Sequence, residues 1–599
     1  MKEKSVFIER YENFALKRMK LEKLSGQISN LRLASIITGA LLGGLAYYYV
    51  GNPLTYMAAG LFLISFFVLV VFHDRIIKKA EVNRRLADIN EACEKRKTGD
   101  WTFFADQGEE YKDPAHPYIN DLDIFGRASL FQWVNTASSY YGREFLKNLL
   151  SSPDKDVSKI TKRQRAVKEL AMKMDFCQEL QCCGMAKKDT RNDPEKLLSY
   201  AEDKSRLLPV KGLTYLFYIL PGITLVSFIL YYFSDLLIHI PLAGFLVQII
   251  INVIGSWKIG RMVDNLYASK RKIEGYLKML QAVEKEHFDD EYLRGLKAEL
   301  FRNNKAASEQ IKVLDNILGA LSFRSNPIVY FIINNLFFWD FHCVLALERW
   351  KKISGSSLRN WLYIIGTYEA LCSLALTAQL DPGWCFPEFV EDGLVITAVD
   401  MGHPLINDKE RVVNDIALDD QICIVTGSNM SGKTTLLRTI GVNLVLAYAG
   451  AAVCAKEFTC SILDIFTSMR INDDLNSGIS TFYAELLRIK TIIEYSKKKQ
   501  PMLFLIDEVF RGTNSRDRVT GAKNVLMNLN KGWIMGLIST HDFELCDFEK
   551  DDSRIFNLHF TETYTDGEIK FDYKLREGRC KTANAKYLMK MVGIEIADQ

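Results

Sequence analysis

The chain has 599 residues, of which 48% are hydrophobic and 25% are charged, a balance typical of folded proteins and not of disordered ones. At roughly 100–200 residues per domain, this length predicts about three to five domains. The 76 basic and 73 acidic residues give a formal net charge of +3, which excludes a polycation that coats nucleic acid along its whole length. Twelve dispersed cysteines without a CxxC pair predict reduced thiols and not a disulfide framework or a zinc ribbon.

The first hundred residues contain two uncharged stretches, 33–50 and 54–72, separated by a short Gly-Asn-Pro turn. Each is about long enough to cross a hydrocarbon core of ~30 Å. A signal peptide is the competing interpretation, but a second apolar stretch follows at once. Lysines and arginines flank the pair on both sides, which predicts that both ends stay in the cytoplasm. We therefore predict a transmembrane hairpin within an N-terminal segment of residues 1–99.

The same pattern recurs at 213–233 and 236–257, where two apolar stretches again lie between clusters of basic residues. This predicts a second transmembrane hairpin of the same orientation, within residues 211–258. A pair of buried core helices is the alternative interpretation at both places. The segments on either side, 100–210 and 259–380, are helix-prone and form the predicted soluble helical regions.

A third apolar stretch, Ile328 to Leu347, contains Asn334, Asn335, Asp340 and His342. Polar groups are costly in lipid, so we predict a core helix of the soluble part here and not a membrane span. From residue 381 onward, short β-rich runs alternate with helical stretches. This alternation predicts a C-terminal α/β domain with a mainly parallel sheet over 381–599.

A phosphate-binding loop follows the β-rich run QICIVT and matches G-x-x-x-x-G-K-[ST] in a strand–loop–helix setting. Its backbone N–H groups and the positive end of the next helix are expected to face phosphate oxygens. Lys433 is expected to neutralise the β/γ-phosphates, and the Thr434 hydroxyl to bind Mg²⁺. The predicted ATP-binding residues are Gly427, Ser428, Asn429, Met430, Ser431, Gly432, Lys433, Thr434 and Thr435.

Two further apolar runs in this domain end in polar residues suited to phosphoryl transfer. MLFLI leads into Asp507 and Glu508, where the aspartate can hold the Mg²⁺ shell and the glutamate can orient the attacking water. WIMGLIST leads into His541, which would lie over the γ-phosphate. The alternative interpretation is that Asp507 and Glu508 are surface acids and that His541 is a structural histidine.

These pieces, in this order, resemble one known family. The blocks GHPL, TGSNMSGKTT, SGISTFYAEL, LFLIDEVFRGTN and STHDFEL follow one another as in the ATPase domain of the MutS DNA mismatch-repair proteins. Upstream, DIFGRASLFQWVNTASSYYGREFLKNLLSSP and NNLFFWDFHCVLALERWKK are similar to the helical core of that family. The resemblance covers roughly 120–210 and 310–599 and is strongest in the last third.

The resemblance implies a P-loop ATPase domain of the ABC-type superfamily, preceded by an all-α core and lever region. It implies a homodimer that uses ATP and Mg²⁺ and whose nucleotide state changes how it holds DNA. In this family each site is completed by a segment of the partner, which corresponds here to Gly478, Ser480, Thr481 and Phe482. The resemblance also implies that Asn429 contacts the phosphates and that His541 acts as a nucleotide sensor.

The sequence also departs from the family. Family members that read mismatches carry an N-terminal domain with a Phe-x-Glu wedge. Phe7-Ile8-Glu9 has that spelling, but only about 32 residues precede the first apolar stretch, so we do not expect a mismatch reader. The second hairpin occupies the region where the lever and clamp helices are expected. A helix over 584–591 is the expected dimer-locking element.

The sequence is compatible with three functions. The first is a multi-pass protein of the cell membrane, with its ATPase domain and both termini in the cytoplasm, that binds DNA. The second is a membrane-tethered ATPase that acts on a membrane or protein partner and never touches DNA. A transporter of the ABC type is disfavoured because an LSGGQ signature is absent. The basic segments beside the apolar stretches are also suited to anionic lipid.

Overall fold

The computed structural model describes residues 5–48, 53–185, 193–203, 213–233, 238–268, 270–302, 305–470, 481–510, 515–565 and 568–580. The chain divides into two units, Met1–Phe103 and Phe104–Gln599.

The first unit consists of two long helices, α1 (Val6–Tyr48) and α2 (Pro53–Thr98), followed by a short 3₁₀ turn. Both helices run well beyond the apolar stretches predicted at 33–50 and 54–72. The reason is that the flanking Lys-, Arg-, Glu- and Leu-rich segments are themselves good helix formers. The two helices pack against each other, and the Ser35 hydroxyl donates to the Phe62 carbonyl at 2.9 Å.

Among the described residues, four helices are long and apolar enough to cross a membrane: Val6–Tyr48, Leu54–Thr98, Tyr215–Phe233 and Trp339–Leu380. They differ in how much of their most apolar 18-residue window is buried inside the protein. In the first three helices 11%, 0% and 22% of the window is buried, whereas in Trp339–Leu380 the value is 89%. The fourth helix therefore has a protein environment, and the other three present apolar side chains outward.

The second unit begins with a helical region. Its helices are α3 (Leu130–Val134), α4 (Tyr140–Ser151), α5 (Val157–Met172), α6 (Met174–Gly184), α7 (Glu195–Glu202), α8 (Leu213–Phe233), α9 (His239–Ala268), α10 (Lys270–Lys285), α11 (Glu291–Ala298), α12 (Ala307–Ala320), α13 (Pro327–Phe337) and α14 (Trp339–Leu380). A small hairpin of β1 (Phe301–Arg302) and β2 (Lys305–Ala306) interrupts the helices.

The third apolar stretch is not one core helix, as the sequence predicted, but parts of two helices. Phe338 adopts a left-handed conformation with φ 52°, which ends α13 and starts α14. Only α14 enters the core. The buried carboxylate of Glu369 on α14 accepts hydrogen bonds from the backbone and hydroxyl groups of Ser138 and Ser139 at the start of α4. This contact joins α14 to the start of α4.

The C-terminal part combines strands and helices. Its strands are β3 (Glu388–Val390), β4 (Val395–Met401), β5 (Asn414–Asp419), β6 (Ile422–Thr426), β7 (Glu457–Ser461), β8 (Asp464–Ser468), β9 (Met502–Asp507), β10 (Ile534–Thr540), β11 (Ile555–His559), β12 (Glu562–Thr565), β13 (Glu568–Phe571) and β14 (Arg576–Glu577). Its helices are α15 (Lys433–Ala449), α16 (Thr481–Ser496) and α17 (Ser515–Leu529).

The main sheet has six strands in the order β14-β11-β6-β10-β9-β8, and every pair except β11–β14 is parallel. Strands β6, β9 and β10 are buried along their whole length, as expected for a parallel sheet covered on both faces. A second sheet has four strands in the order β3-β7-β4-β5.

The helical region contacts the end of α15. Arg163 on α5 donates to the carbonyls of Ala449 and Tyr448 at 2.8 and 2.9 Å. These are among the last carbonyls of α15, which have no partner within the helix. A cation at this position also stabilises the negative end of the helix dipole.

Candidate nucleotide site

Three parallel strands bring the predicted site residues to one edge of the main sheet. Strand β10 lies between β6 and β9, with Thr540 paired to Thr426 and Ser539 paired to Asp507. The carboxyl ends of all three strands therefore meet, and the loops that follow them share one crevice.

The loop between β6 and α15 has the backbone of a phosphate cradle. Gly427 has φ 150° and Gly432 has φ 110°, both in the region that favours glycine. A Cβ atom at Gly427 would lie 2.7 Å from Ser431 Oγ and 3.0 Å from the Phe560 carbonyl. The loop is therefore as tight as its sequence requires, and α15 begins directly at Lys433.

The cradle also contains side chains that can donate hydrogen bonds to phosphate oxygens. Lys433 is only 5% exposed, and its Nζ donates to the carbonyls of Gly427 and Ser428, each at 2.9 Å. The buried Ser431 Oγ has no hydrogen-bond partner among the described residues. A buried hydroxyl without a partner is costly and fits a site that receives a polar ligand. The loop therefore fits a nucleotide phosphate.

Thr434 and Asp507 form the pair of oxygens that a hard divalent cation prefers. The Thr434 hydroxyl donates to Asp507 Oδ2 at 2.7 Å. The Ser539 hydroxyl donates to the other carboxylate oxygen, so both oxygens of this nearly buried side chain are held in place. The donor set fits Mg²⁺, which is usually bound through one or two carboxylates together with substrate phosphates.

Glu508, His541 and Asn429 meet above the loop. His541 Nε2 lies 2.9 Å from Glu508 Oε1, 2.8 Å from Asn429 Oδ1 and 3.3 Å from Lys433 Nζ, so this nitrogen is shared between two acceptors and one donor. Glu508 has φ 48°, an uncommon conformation for a residue other than glycine. Its N–H donates to the Ser539 carbonyl at 3.1 Å, which holds the side chain at the sheet edge.

A cavity of about 740 Å³ opens beside the loop. Its walls come from the loop and α15, from Glu508, from His403 and its neighbours, and from the aromatic side chains of Phe560 and Tyr573. Burial, together with the positive charges of Arg438 and Arg411, lowers the pKa of His403 to about 4. His403 is therefore neutral at physiological pH. Together with Phe560 and Tyr573, it gives the cavity an uncharged wall in addition to the wall formed by the loop.

Comparison with known proteins identifies this part of the chain. A family model described as MutS domain V matches residues 423–596. The DNA mismatch repair protein MutS of Aquifex pyrophilus is 28% identical over 338 residues, which is 55% of this chain and 38% of that protein. This part of the chain is a MutS domain V.

Other relatives carry the same name. The DNA mismatch repair protein MutS of a Roseiflexus species is 31% identical over 251 residues, or 40% of this chain and 23% of that protein. The protein of that name from Natronomonas pharaonis is 31% identical over 263 residues, or 42% of this chain and 30% of that protein. The chain thus spans less than two-fifths of the length of these relatives.

The MutS-type site contains most of the residues that the sequence singled out. The cavity is lined by seven of the predicted ATP-binding residues and by Glu508, namely Asn429, Met430, Ser431, Gly432, Lys433, Thr434, Thr435 and Glu508. Gly427, Ser428, Asp507 and His541 contact these residues from behind or beside them. The roles assigned to these side chains stay predictions.

The segment predicted to reach a partner subunit is only partly described. Gly478 and Ser480 lie outside the described residues, as does the predicted helix over 584–591. Thr481 is the first residue of α16. Phe482 packs edge-on against Phe510 of its own chain, with ring centroids 5.8 Å apart. The start of α16 is thus fixed to the loop that follows Glu508.

Several residues that hold the site together were not singled out from the sequence. Ser539 binds Asp507, and Glu485 on α16 accepts from the Phe510 backbone N–H. Arg518 on α17 forms a two-point ion pair with Asp542, the neighbour of His541, with both distances 2.7 Å. Ser539 lies near the end of β10, and this position could have indicated its role, whereas Glu485 and Arg518 lie on helices and carry no such signal in the sequence.

Proposed function

We propose that this chain is a membrane-anchored MutS-like ATPase that binds and hydrolyses ATP with Mg²⁺ and couples this cycle to DNA binding. The observation that supports it best is the convergence of Lys433, Thr434, Asp507, Glu508 and His541 at one sheet edge within a MutS domain V. Each of these side chains supplies a function that phosphoryl transfer needs.

The residues divide the work of nucleotide binding. The loop N–H groups and Lys433 bind phosphate oxygens, and Thr434 and Asp507 hold Mg²⁺, which neutralises charge on the phosphates when it is bound. Glu508 orients the attacking water and accepts its proton. His541 contacts both Glu508 and Asn429 of the loop, which suits a group that senses the presence of the nucleotide.

We further propose that the ATPase works as a homodimer with the nucleotide between two subunits, with Gly478 and Ser480 reaching the partner's phosphates. The support is the family likeness, together with the contacts of α16. Phe482 and Glu485 on this helix contact Phe510 in the loop after Glu508, so a change at that loop would reach the start of α16.

The two pairs of apolar helices are the proposed membrane anchors, within residues 1–99 and 211–258. Their apolar side chains face outward, for example Leu61 at 69% exposure on α2 and Ile223 at 61% on α8. Exposure of such apolar surfaces to water is unfavourable, whereas the acyl chains of a bilayer would cover them. The helical regions 100–210 and 259–380 and the ATPase region 381–599 would then lie on the cytoplasmic side of the cell membrane, as the flanking basic residues indicate.

DNA binding is supported by the relatives, which are named DNA mismatch repair proteins. The net charge of +3 gives no separate support. The outward-facing apolar helices favour a second candidate, an ATPase that drives a change in a membrane or protein partner without binding DNA.

One experiment separates the two candidates. Detergent-purified full chain is titrated with duplex, mismatched and branched DNA, with and without ATP, over a range of salt concentrations. DNA binding through phosphates predicts that log K falls linearly with log salt. The matched control is Lys433→Ala, which should remove the effect of ATP and leave nucleotide-free binding. No binding, or a slope near zero, together with normal ATP hydrolysis would favour the second candidate.

A further inference from the structure

Helix α13 has the opposite polarity to a helix on a water-exposed surface. Its buried residues are Asn334 and Asn335, whereas Ile328, Phe331 and Ile332 are 74%, 55% and 49% exposed. A helix at a protein–water boundary normally buries its apolar stripe and exposes its polar one. The exposed face of α13 therefore does not fit water.

The inward polar face of α13 is held by specific hydrogen bonds. Asn252 on α9 donates to the Asn334 carbonyl at 2.8 Å and to Asn335 Oδ1 at 3.2 Å. The Asn334 side chain accepts from the Asp340 N–H at 3.0 Å. These contacts fix the rotation of the helix about its axis, and so the outward direction of its apolar face is set by the fold.

The apolar face continues the outer surface of α8 and α9. Phe217 on α8 stacks on Phe341 at the start of α14, with centroids 4.2 Å apart. A Cβ atom at Gly255 on α9 would lie 2.2 Å from the same Phe341 ring, so α9 and α14 are in close contact. Val253 and Ile254, next to the Asn252 that binds α13, are 60% and 70% exposed. The same environment must cover both surfaces.

The position of Asn252 along α9 indicates how deep α13 would lie in the proposed bilayer. Asn252 lies five residues before Trp257, where the apolar stretch ends, which corresponds to about 8 Å along the helix axis. Helix α13 has 11 residues, about 16 Å, and is too short to span a bilayer. It has the length and the position of an interfacial helix.

We propose that α13 is an interfacial membrane helix whose Ile328, Phe331, Ile332 face lies among the acyl chains of the leaflet where α9 leaves the bilayer. This inference rests on the proposed insertion of α8 and α9. It adds a third membrane contact to this region and one that leads directly into α14, the helix that carries Glu369 and the contact with α4. The partner is lipid and not protein because the surface is continuous with that of the two spans.

The test uses the full chain in vesicles of phosphatidylcholine and phosphatidylglycerol. Photoreactive benzoyl-phenylalanine is incorporated at Phe331 or Ile332, and mass spectrometry identifies the cross-linked molecule. Val226 on α8 is the matched control for the span, and Ile353 on α14, which is 63% exposed, is the matched control for an apolar residue outside the proposed face.

The proposal expects acyl-chain adducts at Phe331 and Ile332 in yields comparable to Val226, with none at Ile353. Adducts at Val226 but not at Phe331 or Ile332 would overturn the proposal and leave the anchoring by α8 and α9 intact. Adducts to protein at Phe331 and Ile332 would show that a second copy or another protein covers this face, which also overturns it. Absence of acyl adducts at all four positions would overturn both the inference and the second anchor.

Discussion

His541 and Glu508 form a hydrogen bond, with Nε2 2.9 Å from Oε1, although 33 residues separate them in the chain. The pairing of β9 with β10 makes the contact possible, because each residue directly follows its strand. The same imidazole nitrogen lies 2.8 Å from Asn429 Oδ1 in the phosphate loop. His541 thus connects the group proposed to orient water with the loop proposed to bind phosphate.

Glu508→Gln should preserve ATP binding and slow hydrolysis by roughly 10²–10⁴-fold, the range typical of general acid–base groups. The amide keeps the shape of the side chain but cannot accept a proton. Single-turnover hydrolysis and nucleotide binding, measured on the same preparation, check the two halves of the expectation. Glu544→Gln, an exposed glutamate three residues after His541, is the matched control and should be neutral. Normal turnover in Glu508→Gln would show that another group orients the water.

Lys433→Ala should abolish ATP binding. The ammonium group is the buried cation of the loop, and it bonds two loop carbonyls, so its loss removes both charge neutralisation and support of the cradle. Fluorescent-nucleotide titration measures the effect. Lys531→Ala, at an exposed lysine, should leave the affinity unchanged. If Lys433→Ala binds ATP with the affinity of the wild type, the phosphate-loop assignment is wrong.

The relative positions of the candidate site residues are easier to predict from sequence than the ends of the helices, for physical reasons. The strand–loop–helix order around Lys433 is local in the chain, and parallel strands necessarily bring Asp507, Glu508 and His541 to the same edge. Helix ends depend on contacts that are distant in sequence. The break at Phe338 depends on its φ of 52° and on packing against Phe217 of α8, which composition does not reveal. The extensions of α1 and α2 were missed because hydropathy marks an apolar span and not the end of a helix.

Glu369→Ala should destabilise the helical region by roughly 2–4 kcal/mol. The carboxylate is buried and accepts from the backbone and hydroxyl groups of Ser138 and Ser139, so truncation leaves several buried donors without a partner. Burial raises the pKa of Glu369, and these donors counteract that shift. The thermal unfolding midpoint in detergent should fall by several degrees. Glu369→Gln keeps one acceptor and should lose less, and Glu391→Ala at an exposed glutamate should lose nothing. Equal midpoints for all three variants would contradict this role.

His403 should make stability depend on pH in the acidic range. Its pKa in the folded chain is lowered to about 4 by burial and by Arg438 and Arg411, whereas an unfolded histidine titrates near 6.5. The unfolded state therefore binds more protons between these values, and the contribution of this residue to stability, present above pH 6.5, is lost as pH falls towards 4. His403→Asn keeps an acceptor near the Leu405 N–H but does not titrate, so its unfolding midpoint should fall less between pH 7 and pH 5. The difference should correspond to about one proton. His287→Asn, at an imidazole that is 86% exposed, should keep the wild-type pH dependence. The wild-type slope in His403→Asn would mean that His403 is not held neutral by its surroundings.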